Sequence, residues 1–92
     1  MKIKLFFKSG AFTLLDLTKV DYSSWFISEE MSYIRLVFSS RVVVIYYQSP
    51  DIGYDSEDLL QDVLDDADVS HKFSEVDEFR LMWHAITRTL DS

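Results

Sequence analysis

Residues 2–8 alternate, with Ile3, Leu5 and Phe7 on one side and Lys2, Lys4, Phe6 and Lys8 on the other, the two-residue period of a strand. Ser9-Gly10 supplies a two-residue hairpin turn, because Gly tolerates the positive φ such turns need. Residues 11–17 return as the second strand. Residues 19–31 have no clear period; Tyr22, Trp25 and Phe26 there indicate a packed connection or a short helix. Residues 33–39 and 41–48 form the strongest strand pair, joined at Ser39-Ser40. The run Val42-Val43-Val44-Ile45-Tyr46-Tyr47 is rich in β-branched and aromatic residues, which predicts a central strand buried on both faces. The expected first half is a four-stranded antiparallel meander.

Ser49-Pro50-Asp51-Ile52-Gly53 ends the sheet, and the period then changes from two to about 3.6. Leu59, Leu60, Val63, Leu64 and Ala67 are expected on one face of a helix over residues 55–68, with Asp55 or Ser56 capping its start. Ser74-Glu75-Val76-Asp77 resembles a capping box with Asp in place of Glu or Gln, and opens a second helix. Val76, Phe79, Trp83, Ile86 and Leu90 repeat along it at three and four residues. The expected class is therefore α+β: a four-stranded antiparallel meander followed by two helices packed on one sheet face. Residues 1–92 read as a single domain, with a β-sheet half at 1–48 and an acidic two-helix half at 55–90. If both helices cover one face, the other is open, and Phe6, Val43 or Tyr47 there would form a patch large enough for a homodimer.

Charge sharpens this division. The chain of 92 residues carries 16 Asp plus Glu against 9 Lys plus Arg, a formal charge of -7. Residues 51–78 hold eleven acids and one cation, Lys72, for a local charge of -10, and the remainder totals +3. Asp58, Asp62, Asp65 and Asp66 fall at i, i+4, i+7 and i+8, on the face expected to lie opposite the leucines. As a helix, residues 55–68 span about 21 Å. Asp55, Glu57, Asp58, Asp62, Asp65, Asp66 and Asp68 then supply about one carboxylate per 3 Å, against about one phosphate per 3.4 Å of a DNA strand. Like charges at i,i+4 destabilise a helix by about 0.2–0.5 kcal/mol per pair. Acids near its C-terminal end oppose the helix dipole. Selection for stability alone would not choose this face, so these seven residues are the candidate partner-binding set.

Other chemistry finds less support. There are no cysteines, hence no disulfides, thiolate nucleophile or cysteine-ligated metal. Residues 66–77 place oxygen ligands at loop positions 1, 3, 5, 9 and 12 of a calcium loop. His71, however, stands where the sharp turn needs Gly, and Asp77 where a bidentate Glu belongs, so no metal is assigned. No cofactor is implied either. His71 and His84 are too far apart for a metal-ligand pair, no glycine-flanked nucleophile elbow is present, and the two glycines form no phosphate loop. Catalysis is not expected. Arg80, His84 and Arg88 make a cationic strip on the last helix, and the acids of the preceding helix or Asp77 are its expected partners. The apolar stretch near the N-terminus is broken by Lys8, Ser9 and Gly10, and no run of about 18 apolar residues exists. A cytoplasmic protein is expected, with neither a signal peptide nor a membrane span.

In size, acidity and absence of a catalytic signature, the chain resembles the small anti-defence proteins of bacteriophages and mobile elements, anti-CRISPR proteins and DNA mimics among them. The resemblance is one of composition and carries no residue roles. It implies a non-enzymatic inhibitor, acting in the host cytosol, that blocks a basic nucleic-acid-binding surface of a host protein without itself binding nucleic acid. The competing expectation is a small dimeric structural or adaptor protein that binds through exposed aromatic sheet residues, Tyr46 and Tyr47 among them.

Overall fold

A computed structural model describes residues 2–6 and 12–91. The first strand pair forms as its alternation predicts: β1 (Lys2–Phe6) and β2 (Phe12–Asp16) run antiparallel, with Lys2 opposite Asp16 and Phe6 opposite Phe12. The Ser9-Gly10 turn lies outside the described residues. The hairpin is a separate two-stranded sheet rather than the first half of a meander. A single-turn 3₁₀ helix, Leu17–Lys19, leads out of it.

The main sheet contains β3 (Tyr22–Ile27), β4 (Met31–Val37), β5 (Val42–Gln48) and β6 (Val69–Phe73), in that spatial order. The stretch expected as a connection or short helix is thus a strand. Aromatic and β-branched side chains at Tyr22, Trp25, Phe26 and Ile27 suit a pleated surface, and β4 supplies the ladder. The second unexpected strand, β6, falls between helix α1 (Tyr54–Asp65) and helix α2 (Val76–Leu90). Val69, His71 and Phe73 alternate there with Ser70 and Lys72, a five-residue strand signal crowded by flanking acids. Because β6 pairs parallel to β5, the sheet is mixed, not purely antiparallel. A four-stranded mixed sheet with two helices remains α+β.

Residue parity decides where the helices lie. Paired residues of neighbouring strands share a sheet face, and successive residues alternate between faces. Ile34 pairs with Ile45 and Leu36 with Val43. All four are fully buried in one cluster with Leu15 and Leu17 of the hairpin segment and Phe79 and Ile86 of α2. Met31 and Val44 have the opposite parity, yet they too are buried, as is Leu60 of α1, and none of the three belongs to that cluster. The two helices therefore cover opposite faces, correcting the expectation that both pack on one. No whole face is left open for an aromatic patch. Tyr46 and Tyr47 are half-buried, and in the main sheet the exposed aromatics are Tyr22, Trp25 and Phe26, on the strand at one end of the strand order. The central position expected for residues 41–48 is as the run implied: Val43, Val44 and Ile45 are each buried, although they point alternately to the two faces.

One titratable group lies in the α2-side layer. His71 pairs with Ile45 and meets the Phe73 ring edge-on at 4.8 Å between centroids. Burial disfavours its charged form and pushes its pKa below the ordinary 6.5. Above about pH 6.5 His71 is neutral in folded and unfolded chains alike; below it the unfolded chain takes up the proton first, so stability falls as the pH falls. Urea unfolding followed between about pH 7 and 5.5 should show the midpoint dropping with acidity, and His71→Phe should flatten that slope. Phe79→Ala, in the packed cluster, should cost about 3–5 kcal/mol in the same assay, whereas Leu81→Ala on the outer side of α2 should stay within about 0.5 kcal/mol.

Candidate functional site

The acidic helix is held at its N-terminus from outside. Its first free N–H groups meet no side-chain cap from Gly53, the N-cap residue, and neither Asp55 nor Ser56 caps it as expected. Glu30, in the turn between β3 and β4, instead ties down the N-cap residue and the Ser56 side chain. Its Oε1 accepts from the Gly53 N–H at 3.0 Å, and its Oε2 accepts from the Ser56 hydroxyl. The Glu30 carbonyl also accepts the Ser49 N–H at 2.9 Å. The Ser56 hydroxyl, together with the Gly53 N–H, holds the Glu30 carboxyl below its ordinary range. A negative group at a helix N-terminus also complements the macrodipole. A Cβ at position 53 would stand 2.8 Å from Glu30 Oε1, so any other residue there must displace the carboxylate.

At about 100° per residue, the α1 side chains sort into two arcs. Leu60 is buried, and Ser56, Val63, Leu64 and Ala67 flank it half-buried. Asp55, Asp58, Asp62, Asp65 and Asp66 fall within an arc of about 100° on the other side, and all five are exposed. Leu59, expected among the buried residues, is 45% exposed. It borders the aspartate arc on one side, and Tyr54, 80% exposed, borders it on the other. Leu60, Val63, Leu64 and Ala67 already fill a 100° sector, so the wheel leaves Leu59 at its edge; that geometry was available in the spacing. Tyr54 carried no such signal, because its exposure depends on where Gly53 starts the helix.

The other two candidate residues stand apart. Glu57 is exposed on the opposite flank of α1, away from the five aspartates. Asp68 lies beyond the helix and has a structural role: its Oδ2 accepts the Val42 N–H at 2.7 Å while its own N–H donates to the Val42 carbonyl at 2.9 Å, fixing the start of β6 against β5. Asp65 accepts one hydrogen bond, from Gln61 Nε2 at 2.9 Å. Among the described residues, no cation forms an ion pair with the five aspartates. The partners expected for Arg80, His84 and Arg88 are not there either, since those side chains are exposed on α2 across the sheet, with no ion pair among the described residues.

Elsewhere the chemistry is thinner. A depression of about 380 Å³ between β2 and the β4–β5 turn is lined in part by Asp16, Lys19, Phe38 and Arg41. Its charges are mixed, and Asp16 Oδ1 already accepts the Thr18 hydroxyl and N–H at 2.6 and 3.1 Å. Among the described residues, no group of three or more His, Asp or Glu side chains could hold a metal ion, and no helix is long and apolar enough to cross a membrane. β6 runs through the middle of the segment tested as a calcium loop. The chain matches no family model, curated protein or solved structure with which it was compared.

The Glu30 contact predicts coupled effects. Glu30→Ala and Gly53→Ala should each lower the thermal unfolding midpoint and the helical circular-dichroism signal. Combined, they should cost less than the sum of the two, because Gly53→Ala acts largely by displacing the Glu30 carboxylate. Strict additivity would show that the two residues act independently.

Proposed function

We propose that this chain is a non-enzymatic binding protein that presents the aspartate arc of α1 to a basic, nucleic-acid-binding surface of another protein. The observation that carries the proposal is the arc itself: five exposed carboxylates from Asp55 to Asp66 with no ion pair among the described residues, bordered by exposed Tyr54 and Leu59. From Asp55 to Asp66 the helix axis advances about 16 Å, or about one charge per 3–4 Å, near the phosphate spacing of a nucleic-acid strand. Lysines and arginines that grip phosphates would pair with these carboxylates instead, and Tyr54 and Leu59 would supply the apolar contacts that a purely solvating surface has no need of. Inhibition would follow by competition. The resemblance in composition to phage and mobile-element anti-defence proteins of the anti-CRISPR or DNA-mimic type favours a cytoplasmic target in a host cell.

A specific observation keeps a second reading in play. Tyr22, Trp25 and Phe26 are exposed on β3, a terminal strand of the sheet, and could seat a partner strand or a second chain in a small dimeric adaptor. The two readings differ in salt dependence and in the residues that matter.

The immobilised protein should capture, from a bacterial lysate at low salt, a protein that duplex DNA or heparin elutes and that about 0.5 M salt releases. Neutralising Asp58, Asp62, Asp65 and Asp66 to Asn should weaken that capture at least about tenfold. Unchanged affinity in this variant would sink the acidic-face mechanism. Loss of a salt-resistant partner on Trp25→Ala with Phe26→Ala would establish the adaptor reading instead.

A further inference from the structure

Hydrogen bonding in an antiparallel pair alternates, so every second residue of a strand turns its N–H and C=O away from its neighbour. Ser28 donates its N–H to the Met31 carbonyl at 3.2 Å. In the same register Ser24 and Phe26 bond to β4, while Ser23, Trp25 and Ile27 point their backbone groups outward. No described strand pairs with β3 on that side. The outward row stops before Asp21, whose N–H donates to the Val37 carbonyl at 2.9 Å. β3 also lacks what keeps a sheet edge single, because residues 22–28 include no charge and no proline. At the other end of the sheet, β6 carries exposed Lys72 between Asp68 and Glu75. Trp25 pairs with Ile34 on the α2 side and meets Trp83 edge-on at 6.5 Å between centroids. Phe26 stacks on Tyr33 on the α1 side at 6.3 Å.

We propose that β3 pairs antiparallel with β3 of a second copy about a two-fold axis at Trp25, joining the two main sheets into one. The outward groups select this register: with Trp25 opposite Trp25, Ser23 of each copy meets Ile27 of the other, and the whole row is satisfied. Side-chain sizes agree with it. On the α1 side Phe26 faces Ser24 of the second copy and Tyr22 faces Ser28, large against small. On the α2 side the two Trp25 rings are neighbours, each backed by its own Trp83. Tyr22, Trp25 and Phe26 are 61, 45 and 42% exposed, which at about 150–250 Å² per aromatic offers about 300 Å² from each copy. Two copies bring about 600 Å², and the strand backbones add to it, short of the about 1,200 Å² at which standard interfaces begin. That is the area of a weak, reversible dimer. Asp21 of each copy stands opposite Glu29 of the other, and each chain has a formal charge of -7, so repulsion opposes the pairing and salt relieves it. The contact is isologous and closes at two copies. It rests on the reading of β3 as a partner seat, whose occupant it names, and is independent of the aspartate arc.

Sedimentation equilibrium on the whole chain, between about 0.02 and 1 mM, tests the pairing. The weight-average mass should rise from the monomer's 10.8 kDa toward twice that value and no further. The rise should be steeper in about 0.5 M salt than in about 0.02 M, the reverse of a charge-driven contact. Amide exchange followed by NMR should slow with concentration at Ser23, Trp25 and Ile27 but not at Ser24 or Phe26. Ser23→Pro removes an outward N–H and leaves the β4 ladder intact, and should weaken association at least about tenfold. Circular dichroism shows whether that variant is folded; if it is not, Ser24→Lys, which sets a cation against Phe26 of the second copy, replaces it with the same expectation. A wild type still monomeric at about 1 mM in about 0.5 M salt overturns the proposal. So does association that leaves the three outward amides unprotected, or that the folded variant does not weaken. If the wild type is monomeric while a salt-resistant lysate partner still depends on Trp25 and Phe26, the second copy is the wrong occupant and the β3 reading stands; if neither is seen, both fall.

Discussion

Val43, Val44 and Ile45 are consecutive strand residues, so their side chains alternate between the faces of the sheet, yet all three are fully buried. A strand of this kind cannot leave either face or either edge bare. Burying each of these side chains contributes about 1.5–3 kcal/mol, a large share of the stability available to so small a domain. β4 covers one edge of β5, and the other must be covered by a strand. A tight hairpin from Gln48 would have made that neighbour antiparallel; instead the chain crosses the sheet as α1 and returns as β6 parallel to β5. The crossover puts a helix on one face, and α2 closes the other through Phe79 and Ile86. The apolar run at residues 42–47 thus dictates both the mixed pairing and the two-sided cover.

A consequence for electrostatics follows from that packing. The most acidic element and the cationic strip of α2 are adjacent in sequence but are placed on opposite sides by the core. Ion pairs between exposed groups stabilise by only about 0–1 kcal/mol, far less than a buried aromatic such as Phe79. Burial therefore wins, and the aspartates of α1 and the arginines of α2 are left on opposite sides of the sheet. The formal charge of -7 is thus unevenly distributed, with the acids concentrated in residues 51–78.

Much of the fold was legible because it rests on period. The hairpin strands, the central strand, both helices and the apolar stripe of α2 all follow from alternation or from three-and-four spacing. The two strands that were not legible fail for different reasons. In β3, Ser23 and Ser24 interrupt the apolar pattern, and half of the strand is exposed, so its identity comes from pairing with β4 rather than from its own sequence. β6 is short and bounded by acids, and its parallel partner lies 26 residues upstream in register, from Val43 to Val69, a separation no local pattern reports. Of the candidate site, the aspartate face was legible from helical spacing, whereas the role of Asp68 was not, because a side chain that accepts a backbone N–H across strands leaves no periodic trace. Glu30 escaped for the same reason: its partners are 23 and 26 residues away.

The stability of α1 is best understood from what the aspartates cost it. Asp58, Asp62 and Asp66 are like charges at i,i+4, and Asp55 with Asp58 and Asp62 with Asp65 add i,i+3 pairs, for a total penalty of about 1–2 kcal/mol. No basic residue stands in the last turn to offset the dipole. Against this, Leu60 buried on the sheet contributes about 1.5–3 kcal/mol, and Glu30 holds the N-cap residue Gly53 and the Ser56 hydroxyl. The helix persists because the sheet holds it. Two results follow for any partner that meets this face. A partner's cations would relieve the repulsion, so binding and helix stability are linked in the same direction. And exchanging the aspartates for Asn removes repulsion that opposes the fold, so the loss of binding in such a variant would report the missing charges rather than a helix that had come undone.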